Sequence, residues 1–261
     1  MKTSRIYAMV LKYFYYFRQS LDRMSDAFYW PVMDLLLWGL TGSYFKKMSG
    51  GNSTIMIMII SGILFWIIVW RGQYEITVNL LEELWNKNLI NLFGSPLNLD
   101  EWMVSVIIIG LIKAFLSLSF ALVLAFFLYK YNFFVYGFSL IPFILCLIMT
   151  GWWVGFLVAG LILRGGTRIQ TLAWAAVAVI SPFSAIYYPL SVLPLWAQKI
   201  ASFIPTSYIF EGARLVLAQG YLDWHKILIS FLLNIVYLVL AIVWLRKSFD
   251  KILRKGLVKL F

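Results

Sequence analysis

The chain has 261 residues, 62% of them hydrophobic and 13% charged, with a formal net charge of +11. So much apolar content excludes an ordinary soluble globular protein and describes an integral membrane protein. The positive charge gathers at the two ends, at Lys2, Arg5, Lys12, Arg18 and Arg23 and again at Arg246, Lys247, Lys251, Arg254, Lys255 and Lys259; charge placed there sets topology and meets lipid head groups, so no nucleic-acid partner is expected.

A spanning helix needs roughly 20 apolar residues. Six stretches meet or approach that length, at about 27–45, 54–72, 104–129, 136–163, 169–188 and 227–245. The expected fold class is therefore all-α integral membrane. A six-span domain over 27–245 follows an interfacial segment at 1–26 and precedes a basic tail at 246–261. Both ends are basic, so the positive-inside rule puts both termini in the cytoplasm, as an even number of spans requires. That makes a multi-pass protein of the inner (plasma) membrane. The first 26 residues have scattered charges and no compact apolar core, which argues against a cleavable signal peptide.

In chain order, the first element is Thr3 to Leu21. Its apolar Ile6, Met9, Val10, Tyr13, Phe14 and Phe17 alternate with Arg5, Lys12 and Arg18 at helical spacing, the pattern of a basic amphipathic helix lying in the inner interface. The first span opens at Tyr29-Trp30-Pro31, where proline suits a first helical turn. It contains Asp34, an intramembrane carboxylate whose nearest plausible partners are Lys113 and Arg71.

Between the second and third spans lies the polar segment 71–101. Within it, Leu80, Leu81, Leu84, Trp85, Leu89, Leu92 and Phe93 recur at three and four, and Gly94-Ser95-Pro96 ends the run. This predicts a short amphipathic helix suited to the groove of a soluble partner, with Glu82 and Glu83 near its start. Lys113 lies in the third span, where it either snorkels or lines a path. The overlong fourth span is split by Gly137 and Pro142, and its Gly151, Gly155 and Gly160 permit close helix approach. After the fifth span, Pro182, Pro189, Pro194 and Pro205 interrupt an almost uncharged stretch. Broken helices at membrane depth need protein or a water-lined cavity to satisfy the freed backbone, so they suggest a translocation path.

The inventory of side chains argues against catalysis. One His, His225, and one Cys, Cys146, cannot build a His or Cys metal cluster. No phosphate-binding GxxxxGK[ST] loop occurs.

Taken together, the basic entry helix, the sequence EELWNKNLINLFGSPL from Glu82 and the stretch PLSVLPLWAQKIASFIPTSYIFEGAR from Pro189 to Arg214 resemble the permease subunits of type-2 ATP-binding-cassette exporters. The resemblance covers nearly the whole chain. It implies six spans, a dimer with a second permease subunit, and two separately encoded cytoplasmic ATPase subunits that bind the ATP and Mg. This chain would hold no cofactor and be no enzyme itself. It further implies a coupling helix at about 82–96, with Glu82, Glu83, Trp85, Asn86, Leu89 and Pro96 docking on the ATPase and Arg5, Lys12 and Arg18 contributing from the entry helix. Short re-entrant helices at about 188–214 would close the outer side through Ile186, Pro189, Leu190, Leu193, Pro194, Phe203, Pro205, Glu211 and Arg214. The implied cargo is an amphipathic or lipid-like molecule or a lipid-linked polysaccharide. An ion-coupled secondary transporter and a membrane-embedded enzyme are the rival classes; the first wants intramembrane acids and related halves, the second a convergent titratable set.

Overall fold

The computed structural model describes residues 1–255. Its helices are α1 (Thr3–Gln19), α2 (Leu21–Met48), α3 (Thr54–Trp85), α4 (Leu89–Gly94), α5 (Leu99–Tyr129), α6 (Leu140–Gly165), α7 (Leu172–Ile180), α8 (Leu195–Ala201), α9 (Pro205–Gln219) and α10 (Trp224–Lys255). Short 3-10 turns occupy Phe133–Ser139, Gly166–Ile169, Ser181–Phe183 and Leu190–Val192. No strand occurs among the described residues. Of the basic tail expected at 246–261, the part up to Lys255 continues α10, and Lys259 lies outside the described residues.

Four helical stretches are long and apolar enough to cross a membrane: Thr54–Trp85, Leu99–Tyr129, Phe133–Ile169 and Trp224–Arg254. The chain is thus an all-helical membrane protein. The first and fifth expected spans have a different character. With 28 residues, α2 is about 42 Å long and has the reach, but Asp34, Thr41, Ser43, Lys46 and Lys47 dilute its apolar run. By contrast, α7 has nine residues and is extended only by the turn Ser181–Phe183.

At the centre of the bundle is α3, packed by α2, α5 and α6, while α10 lies along α6. In its most apolar stretch 72% of α3 is buried within the protein, against 22% for α10, which therefore leaves most of its surface for lipid. The α3–α6 crossing depends on two glycines. A Cβ on Gly151 would sit 2.7 Å from the Val69 carbonyl oxygen and 2.9 Å from the Gly72 Cα. Both neighbours are backbone and cannot move aside. Gly155 gives the same close approach to Gln73 and Ile76, and Gly160 receives the Trp244 ring of α10.

Two expectations about the chain's breaks are corrected. The entry helix ends at Gln19, where extended Ser20 caps the next helix by accepting from the Arg23 N–H. Residues 21–26 therefore belong to α2, and Pro31 falls in the helix interior instead of its first turn. Proline there removes the N–H that would bond the Ala27 carbonyl. Ser117 of α5 replaces it, its Oγ donating to Ala27 O at 2.8 Å. The helix is thereby carried through the proline by a neighbour, as a low-dielectric setting requires. Gly137 does split the fourth span: at φ 52 it adopts a conformation open to glycine and kinks the chain inside the stretch Phe133–Ser139, ahead of α6.

One end of the bundle gathers α1, α4 and the termini of four longer helices. There Lys12 meets Glu83, Arg246 meets Asp100, Trp85 meets Gln170, and Phe93 packs on Phe249. Most of the chain's basic residues lie at this end. Overpacking the central crossing with Gly151→Val should cost about 1–3 kcal/mol, read as a lowered melting temperature of the purified protein in detergent. Gly94→Ala, which meets open space, should leave melting unchanged.

Candidate functional site

A polar stripe runs along one face of α3. Arg71, Glu75, Asn79 and Glu83 recur every four residues, so they line one face of the helix. Arg71, Glu75, Asn79 and Glu83 are all buried. Buried charges persist only when paired, and each one here is.

Arg71 Nη1 donates to Asp26 Oδ2 at 2.9 Å and its Nη2 to the Asp26 carbonyl at 2.5 Å. Glu75 Oε2 accepts from Lys113 Nζ at 2.6 Å, and its other oxygen lies 3.9 Å from Arg71. Asn79 donates to the Glu75 carbonyl at 2.6 Å and accepts from Arg23 Nη1 at 3.2 Å. Arg23 also pairs with Glu82. Lys12 Nζ donates to Glu83 Oε1 at 2.5 Å, while Asn88 donates to Glu83 Oε2 at 2.6 Å. Lys113 additionally lies 4.8 Å above the Phe17 ring. Four cations, Lys12, Arg23, Arg71 and Lys113, thus meet four carboxylates, Asp26, Glu75, Glu82 and Glu83. They join α1, α2, α3 and α5 in one charge-balanced network.

This network rearranges the expected partners. Lys113 is buried on Glu75, neither snorkelling nor lining a path. Arg71 is taken by Asp26. Asp34, midway along α2, is half-buried and has no hydrogen-bond or ion-pair partner among the described residues.

The segment expected as one amphipathic helix is divided. Glu82 and Glu83 end the long α3, a turn with Lys87 at φ 52 follows, and only Leu89–Gly94 forms the separate α4. Glu83 and Leu89 are buried, while Trp85, Asn86, Ile90, Asn91 and Pro96 face outward. Arg5 holds the following loop by donating to the Pro96 carbonyl and lies 3.5 Å from Glu101. On α1 itself, Met9, Tyr13 and Phe17 form the buried face, with Tyr13 accepting from Trp102 Nε1 at 3.0 Å, and Arg18 is exposed.

At the other end, the proline-broken stretch solves its backbone problem with one ion pair. Arg214 of α9 donates to the carbonyls of Ala185 and Ile186. Glu211, 3.0 Å from Arg214, accepts from the Leu190 N–H at 2.8 Å. Ser184, Ala185 and Ile186 are fully enclosed, and the Ile186 carbonyl sits against Gly62, where a Cβ would come within 2.7 Å. Non-helical backbone is here buried in protein, as it must be at membrane depth. Pro205 starts α9. Pro189, Pro194 and Phe203 lie on the surface, Leu190 and Leu193 are half-buried, and Ile186 is in the core.

Three adjoining cavities run along α2, α3 and α7. The first, about 410 Å³, is lined by Asp34 with Trp30, Trp66, Trp70, Trp174 and Tyr187, and also by Asp26 and Arg71. The second, about 400 Å³, shares Asp26, Trp30 and Trp174 with it. The third, about 480 Å³, shares Ser20, Arg23, Glu82 and Trp85 with the second and reaches the basic end. Tyr187 closes the far end, stacked on Trp38 with centroids 4.1 Å apart.

Sequence reasoning missed Glu75, Asn79 and the tryptophan-lined cavity. A repeat of polar residues every four positions from Arg71 was the available signal for the first two. Among the described residues, no three His, Cys, Asp or Glu side chains lie close enough to hold a metal ion. No family model matches the chain, and no curated protein is detectably similar to it.

Removing one member of the central pair, by Glu75→Gln or Lys113→Met, should destabilise the protein by about 3–5 kcal/mol, because the partner is left buried and charged. The double substitution should cost clearly less than the sum of the two. Unfolding titrations in mixed micelles measure both.

Proposed function

We propose that the chain is the membrane-spanning permease subunit of an ATP-driven exporter, acting as a dimer and coupled to two separate cytoplasmic ATPase subunits. The observation that supports this most is the run of joined cavities from the basic end of the bundle to Tyr187, along α2, α3 and α7. Such a lateral groove offers a path that a second copy can complete. In this reading the bundle has six spans, with α2 as the first and α7 with the enclosed backbone to Ile186 as the fifth. Both termini and the basic end are cytoplasmic, in keeping with the positive-inside rule.

The coupling surface is then the turn after α3 together with α4, where Trp85, Asn86, Ile90 and Pro96 are exposed. Glu82 and Glu83 act behind it, fixing α3 to Arg23 and Lys12. Movement of the ATPase subunits on binding ATP would pass through this corner as a rigid-body shift of α3 and the helices ionically tied to it. The permease need only hold two arrangements of similar free energy for nucleotide to bias. The stretch from Pro189 to Pro205 forms the outer closure, anchored by Glu211 and Arg214. Its cargo is an amphipathic or lipid-like molecule, or a lipid-linked polysaccharide.

An ion-coupled carrier is the second reading, favoured by the buried Glu75, Lys113 and Arg71. Their complete pairing weighs toward a structural role. The two readings separate in one experiment. Replacing an exposed pair, Asn86→Asp with Ile90→Asp, should abolish co-purification with an ATPase and ATP-driven transport while leaving the melting temperature of the permease unchanged. Unchanged assembly and transport would sink the coupling surface, and transport driven by a proton gradient without ATP would establish the carrier.

A further inference from the structure

The cavity midway along α2 combines an aromatic wall with a carboxylate that has no ion-pair partner among the described residues. Trp30, Trp66, Trp70, Trp174 and Tyr187 surround it together with Asp34. The other two charged groups on the wall, Asp26 and Arg71, bind each other at 2.9 Å and cancel. Every carboxylate of the network on α3 has a cation, but among the described residues Asp34 has none. With no cation beside it Asp34 holds a charge only at a cost, and an occupant of opposite sign would remove that cost; such a carboxylate is by default a functional candidate.

A volume of about 410 Å³ falls within the usual range for small-molecule sites. Indole faces attract cations through the ring quadrupole, the more strongly where water is excluded, and they offer no such attraction to anions. Trp30 and Trp174 are 53% and 36% exposed, so the wall is open on one side and an apolar tail can extend beyond it. A metal ion is a poor occupant, since one free carboxylate supplies a single ligand. A neutral sugar would use the aromatic faces and leave the charge of Asp34 uncompensated.

We propose that this cavity binds a monocationic amphiphile, its onium head held among the tryptophan faces with Asp34 as counter-ion and its apolar part directed out of the cavity. The site deepens the exporter reading by naming a cargo class, and it rests on that reading only for transport. Binding is a property of the chain alone.

The test uses the full chain in detergent micelles and the probe tetraphenylphosphonium, followed by tryptophan quenching and equilibrium dialysis against protein-free micelles. Saturable binding is expected. Asp34→Asn should weaken it about tenfold or more, equivalent to one decade in Kd, while Asp34→Glu keeps it within a few-fold of the unaltered chain. Trp66→Leu should weaken it as well. Tetraphenylborate, of the same shape and opposite charge and assayed alone, should not bind. Equal binding by a folded Asp34→Asn variant would overturn the proposal. So would equal binding of tetraphenylborate alone to the unaltered chain, a result that depends on no variant folding, or binding of a neutral oligosaccharide where the phosphonium fails to bind. Because no ATP or ATPase is present, charge-selective binding without ATP-driven transport would remove the exporter reading and leave this site standing. ATP-driven transport by a chain that shows no charge selectivity would do the reverse.

Discussion

A buried, charge-balanced ladder on one face of α3 is the constraint on which the rest of this structure depends. A helix of 32 residues is about 48 Å long, well beyond the roughly 30 Å of hydrocarbon it crosses. Its last turns remain helical and enclosed because Lys12, Arg23, Arg71 and Lys113 arrive from the chain around it and from α3 itself to meet Asp26, Glu75, Glu82 and Glu83. Removing any one charge leaves another without a partner in a medium that solvates it poorly. The ladder thereby fixes where α1 lies, where α2 begins and which face of α5 turns inward. It also uses up the neighbouring cations. Asp34 is left without a cation among the described residues, and that is what leaves the tryptophan-lined cavity a place for one.

The opposite end follows the same rule with different groups. Chain broken by Pro182 and Pro189 would expose carbonyls that hydrocarbon cannot satisfy. Arg214 and Glu211, one turn apart on α9, supply a donor to Ala185 and Ile186 and an acceptor to Leu190. Within α2, Ser117 does for Ala27 what Pro31 prevents. In each case a polar side chain from another helix replaces a backbone partner, so irregular segments are fastened to the bundle and move with it. Helices tied at both ends by such contacts, yet crossing on glycines at Gly72 and Gly151, suit rigid-body rearrangement better than local melting.

Much of this was legible in the residues. Apolar runs located α3, α5, α6 and α10, helical spacing located α1 as an amphipathic helix, though Met9, Tyr13 and Phe17 pack on protein and not on lipid, and Gly151, Gly155 and Gly160 marked the close crossings. Three features were not, for physical reasons. Arg71 ends an apolar run and so reads as the end of a span, although the helix continues for 14 residues past it because its polar face is paired within the protein. Leu80 to Phe93 keeps a helical period across Trp85, but the turn after it divides the run into the end of α3 and a six-residue helix. The partners of Asp34 were sought among nearby cations, when those cations already had carboxylates closer at hand. Periodicity reports which residues share a face; it does not report which of two acids a lysine chooses.

The claim that ion pairing to α3 positions the entry helix is tested most directly by charge exchange at its outermost rung. Glu83→Lys alone places two cations together and should lower the melting temperature of the protein in detergent and expose α1 amides to hydrogen exchange. Adding Lys12→Glu should restore most of both. If the single variant melts and exchanges like the unaltered protein, or if the second change gives no recovery, α1 is held by something other than this ladder.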